Sequence, residues 1–82
     1  DLKIIEGIGP KAAEALVAAG VDTFTKLATA TSEAVKAILE ASESKLSHLD
    51  PTTWAQQAQL AADGKMDELK KLQDELNGGK AV

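Results

Sequence analysis

The 82-residue chain carries nine lysines, thirteen aspartates and glutamates, no arginine and no cysteine, with a net charge of −4 at pH 7. Disulfides and thiolate metal sites are excluded, and the acidic balance and missing Arg forks argue against broad base readout. With only Phe24 and Trp54 as aromatics, no platform exists for stacking single-stranded bases.

Fifteen alanines, many leucines and no sustained apolar-polar alternation predict an all-α fold of about five to six helices in a single domain, 1–82. A short first helix, about residues 1–6, must stop where Gly7 and Gly9 interrupt the chain, and both glycines are expected to be needed for the turn. Pro10 suits the first turn of a second helix running to about residue 19, with Ala12, Ala13, Leu16 and Val17 on one face and Gly20 as its left-handed cap. Asp22 is the expected N-cap of a short third helix carrying Phe24 and Leu27 inward. Thr31 or Ser32 caps a fourth with a stripe of Val35, Ile38 and Leu39, continued by Ser42 and Leu46.

After the connector "SESKLSHLD", "DPTTW" places Asp50 as N-cap and Pro51 at the first position of a fifth helix, with Trp54, Ala58 and Ala61 or Ala62 inward. Gly64 permits a reversal into a sixth, with Met66, Leu69, Leu72 and Leu76 on one face. Residues 50–77 thus read as a C-terminal antiparallel helical hairpin, and residues 78–82 as a frayed tail. A start at Asp1 and an end in "NGGKAV" suggest a module of a longer chain. No apolar run approaches the roughly 20 residues that span a bilayer and no signal peptide is visible, so a cytoplasmic location without membrane partners is expected.

An internal repeat organises the first half. Shifting "IEGIGPKAAEALV" (5–17) onto "LATATSEAVKAIL" (27–39) puts Ile5 on Leu27, Ala12 on Ala34, Leu16 on Ile38 and Val17 on Leu39. Gly7 and Gly9 fall on Thr29 and Thr31, and Lys11 on Glu33, so the second copy keeps the packing residues and loses the glycines and the cation. In the first copy, backbone N–H groups around Gly7, Ile8 and Gly9 and in the turn after Pro10 can approach an anion closely. The helix dipole and Lys11 add positive charge there, giving a site for one or two phosphates that reads no base.

The residues "IEGIGPKAAEAL" resemble the helix-hairpin-helix family: an apolar residue, a variable position, Gly, apolar, Gly, three variable positions and Ala. The resemblance covers about residues 2–42 and implies sequence-independent binding of a nucleic-acid backbone, DNA or RNA, through hairpin amides. Carried over by position, Gly7 and Gly9 shape the hairpin, Ile8 plugs between the helices, and the N–H groups of Gly9 and Lys11 meet phosphate; family hairpins often also hold a monovalent cation on their carbonyls. Tandem hairpins with one degenerate copy are common in the family, which implies a compact core over 1–46. The remainder is similar to tails of such hairpins in small domains appended to bacterial proteins, including some large-subunit ribosomal proteins. Glu6 stands where the family usually has proline.

No other cofactor, no resident metal and no catalytic residue is expected. His48, near Ser44, Ser47 and Asp50, lacks a second imidazole or cysteine to share a metal and reads as a connector residue. Asp67, Glu68, Asp74 and Glu75 beside Lys70 and Lys71 read as a solvated helix face, not a calcium loop. Alanine faces on the second and fifth helices suggest close helix approach without a pocket. Two functions stay open: a non-enzymatic module adding weak nucleic-acid contact to a parent chain, aided by Lys3 and Lys26, or a protein-interaction or structural spacer domain that has lost that contact. Net charge, the absence of arginine and Glu6 favour the second.

Overall fold

A computed structural model describes residues 2–42, 46–77 and 80–81, and the fold within them is all-α apart from a two-residue antiparallel pair at its C-terminal end. A 3₁₀ turn at Leu2–Ile4 precedes α1 (Pro10–Ala18), α2 (Phe24–Thr29), α3 (Ser32–Ala41), α4 (Trp54–Ala62) and α5 (Met66–Glu75). The first expected helix is only that turn. The Ile5 N–H donates to Leu2 C=O and the Ile8 N–H to Ile5 C=O, both at 3.1 Å. Such three-residue steps align side chains at i and i+3, so Leu2, Ile5 and Ile8 all point into the core.

Local chemistry sets the helix ends. Gly20, at φ +91°, closes α1: its N–H donates to Val17 C=O at 3.0 Å and the Val21 N–H to Leu16 C=O at 2.8 Å, a Schellman pair. Gly64 ends α4 with the same two bonds, to Ala61 and Leu60. Thr31 caps α3 by accepting the Ala34 N–H at 3.0 Å. At α2 the cap is Thr23, not Asp22, with the Lys26 N–H on its hydroxyl at 3.1 Å. Asp22, one residue outside the cap, instead reaches the Lys26 ammonium at 2.9 Å.

That hydrogen bond and the charge of Lys26 hold the exposed Asp22 carboxyl below its ordinary value of 3.8. A pKa lowered by folding adds stability that is present above the unfolded value and is lost as pH falls through the folded one. An NMR titration is expected to show Asp22 protonating below 3.8, and Lys26→Ala to move it back toward that value.

Asp50 and Pro51 do not open α4. Asp50 Oδ1 accepts the Thr52 N–H at 3.1 Å and the Trp54 N–H donates to Pro51 C=O at 3.1 Å. These bonds close a separate turn over 50–53, and the helix begins at Trp54. Lys36 of α3 donates to the Ser47 and Leu49 carbonyls at 2.9 and 3.3 Å, tying the connector back to the first half. Residues 43–45, including Ser44, lie outside the described residues.

The core gathers Leu2, Ile5, Ile8, Leu16, Leu27, Val35, Leu39, Leu46 and Trp54 around Ala12 and Ala58. Helix α1 packs on α3, while α4 packs on α2 and, less extensively, on α5. The repeat holds at the helix starts: Gly9 and Thr31 are both N-caps, and Ile5 and Leu27 are both buried. It does not hold along the helix faces. Helix α1 buries Ala12 and Leu16, whereas α3 buries Val35 and Leu39, one residue later than the repeat requires. One residue is about 100° around a helix, so Val17 is 52% exposed although its counterpart Leu39 is fully buried.

On α5, Leu69 is buried and Leu72 half-buried as expected, but Met66 is 49% exposed. It lies in the first turn after the reversal, where α4 has already ended. Beyond α5, Leu76–Asn77 pairs antiparallel with Lys80–Ala81. Residues 80–81 of the segment expected to fray are therefore paired, and residues 78, 79 and 82 lie outside the described residues.

Candidate functional site

Between the 3₁₀ turn and α1, Gly7 takes φ +103°, a left-handed conformation that side chains disfavour. Ile8 is buried beneath the turn. Gly9 is different: at φ −94°, ψ −175° it is extended backbone that any residue adopts. A Cβ built on Gly9 meets nothing within 4 Å. The expectation that the turn needs both glycines therefore holds for Gly7 only, and neither geometry nor packing demands glycine at position 9.

Gly9 is also the N-cap of α1, and no side chain caps this helix. Pro10, at the first position, has no N–H to satisfy. The N–H groups of Gly9 and Lys11, both exposed residues, find no acceptor among the described residues. Helices α2 and α3 differ here, because Thr23 and Thr31 supply their own oxygens. The threonine that replaces Gly9 in the second copy thus occupies from within the position that the first copy leaves open.

The hairpin is held from behind by a residue the sequence reading passed over. Gln57 of α4 is fully buried, its Oε1 accepting the Glu6 N–H at 2.7 Å and its Nε2 donating to the Glu6 C=O at 3.1 Å. Nε2 also donates to Thr53 Oγ1 at 3.2 Å, and Gln73 Nε2 of α5 donates to Gln57 Oε1 at 3.1 Å and to Ile4 C=O at 2.7 Å. Glutamine at position 57 lies on the helical face of Trp54, Ala58 and Ala61, so periodicity alone could have marked it as a buried polar group in search of partners.

The sequence model of the family described as the RS2/RL21/YNQ2 HHH domain matches residues 2–62. The chain belongs to this helix-hairpin-helix family. No curated protein and no solved structure matches it. The match takes in the 3₁₀ turn, the hairpin and α1 to α4 of the helix-hairpin-helix domain, and stops before α5. Where family hairpins usually carry proline, the domain has Glu6, whose extra N–H is the one Gln57 accepts.

Around the hairpin of this helix-hairpin-helix domain, the Lys11 side chain is exposed and has no ion-pair partner among the described residues. Lys26, expected to assist, is engaged by Asp22. The Glu6 side chain is exposed. His48 is exposed, and among the described residues no cluster of three or more His, Asp or Glu could hold a metal ion. Asp67, Glu68, Lys70, Lys71, Asp74 and Glu75 are all exposed, as expected of a solvated face. Among the described residues no helix is long and apolar enough to cross a membrane. Of the two alanine faces expected to pack closely, that of α1 does not close completely: Ala15 and Ala18, with Ala37, Ile38 and Ala41 of α3, line an open groove of about 590 Å³, with Lys11 among its lining residues. Methyl groups are too short to fill the space between these two helices.

Proposed function

We propose that this helix-hairpin-helix domain is a non-enzymatic module that contacts a nucleic-acid backbone weakly and without reading sequence, on behalf of a larger protein. The observation that carries the reading is Gly9. It is bare backbone with no internal reason to be glycine, at the head of a helix without a side-chain cap and beside a lysine that has no ion-pair partner among the described residues. Close approach by an external anion accounts for all three features. The N–H groups of Gly9 and Lys11 would donate to phosphate oxygens, Gly7 and Ile8 would hold the loop that presents them, and the Lys11 ammonium would neutralise a phosphate charge. Membership of the family supports the same reading.

One hairpin meeting about two phosphates gives a log–log salt slope near −2 and a Kd of about 10⁻⁴ to 10⁻⁶ M. In an NMR titration with duplex DNA or structured RNA at low salt, amide shifts are expected to concentrate at residues 7–11. Lys11→Ala is expected to weaken binding to every sequence alike and to flatten the slope by about 1. Shifts that are absent at low salt, or that map to α4 and α5, would sink the proposal. They would favour the competing reading, a protein-interaction or spacer domain, which the net charge of −4 and the exposed Glu6 support.

A further inference from the structure

We infer that Gln57 and Gln73 are positioning residues for the hairpin, so that α5, outside the family match, completes the phosphate site; this rests on the function proposed above. A primary amide offers two N–H donors and two acceptor lone pairs. Gln57 uses all four, on the Glu6 N–H, the Glu6 C=O, Thr53 Oγ1 and Gln73 Nε2. Its orientation is determined, because the reverse would set its NH₂ group against the Glu6 N–H. Gln73 then uses its own NH₂ group on Gln57 and on Ile4 C=O.

The two amides thus grip the backbone on both sides of Ile5 and just ahead of Gly7, from positions 51 and 69 residues away in sequence. Apart from the burial of Leu2, Ile5 and Ile8, the hairpin has few other means of holding its shape. Among the described residues its own backbone bonds are the two short steps Ile5 to Leu2 and Ile8 to Ile5, with the Ala13 N–H on Gly9 C=O joining it to α1, and Gly7 contributes no side chain. A site made of backbone N–H groups cannot adjust by changing rotamer, so its affinity depends on how closely the free loop already matches the bound one. Gln57 and Gln73 supply that order without touching the phosphate.

Gln73 is half-buried, so Gln73→Met nearly keeps the side-chain volume while removing the amide and with it both donated bonds, to Gln57 Oε1 and Ile4 C=O. In the full chain, this variant is expected to exchange the Glu6 amide about fivefold faster while leaving the α3 core amides unchanged. It should also bind a short duplex DNA about fivefold more weakly with the salt slope unaltered, since no charge or phosphate contact is removed. An unaltered slope separates positioning from direct contact, where the slope falls. If the wild type binds and the variant binds equally well, the inference is overturned, whatever the exchange rates. It is equally overturned if binding weakens with no change at the Glu6 amide. If the wild type itself shows no salt-dependent binding, the phosphate reading fails and takes the inference with it.

Discussion

Gly9→Ala is expected to fold as well as the wild type and to bind a nucleic-acid duplex about tenfold more weakly. Two small effects oppose each other in its stability. Alanine is a poorer N-cap than glycine, but it narrows the unfolded ensemble by an amount of similar size, so the net change should stay within about 0.5 kcal/mol. Binding has no such compensation, because the added methyl stands on the open side of the loop where a phosphate would approach. The control is two residues back. Gly7→Ala must place a Cβ at φ +103°, which costs about 1 to 2 kcal/mol. Thermal denaturation of both variants beside a salt-series titration distinguishes the roles. Equal loss of stability in the two, or full binding by Gly9→Ala, would remove the argument that glycine at position 9 serves a ligand.

Gln57→Ala is expected to be among the most destabilising substitutions in the domain, at about 3 kcal/mol by urea denaturation. It removes the partner of the Glu6 N–H and C=O and leaves a cavity beneath the hairpin. Gln57→Leu separates these contributions. It fills most of the volume but leaves the same backbone groups unpaired, and should retain about 2 kcal/mol of the loss. In a domain whose whole stability is of the order of 5 to 15 kcal/mol, either change is large. If Gln57→Leu were as stable as the wild type, the bracket on Glu6 would contribute little to the fold. The hairpin would then be held by Leu2, Ile5 and Ile8 alone.

Features that depend on a few neighbouring residues were legible in the sequence. The left-handed cap at Gly20, the reversal at Gly64, the Thr31 cap and Pro10 at the head of α1 each follow from the chemistry of one or two side chains. Errors of one to three residues arose where adjacent residues compete for one role. Asp22 and Thr23 both carry cap chemistry, and Thr23 is the cap because its hydroxyl stands three residues before the Lys26 N–H that it accepts, while Asp22, one residue further out, meets the Lys26 ammonium. Asp50 and Pro51 carry the chemistry of a helix start, yet the same chemistry closes an isolated turn.

The all-α character of the chain and the place of its hairpin are written in residue order, because breakers and caps act on the backbone within about one turn of themselves. The same order also contains the contrast between Gly9 and Thr31, whose meaning is clear once one is seen as an empty cap and the other as a filled one. Tertiary structure alone decided which of the two glycines the turn requires, since φ is not written in residue type. It also turned α3 by about one residue relative to α1, exposing Val17 and burying Leu39. And it brought Gln57 and Gln73 onto Glu6 and Ile4: a hydrogen bond spanning 51 or 69 residues depends on how the helices pack, which no local pattern encodes.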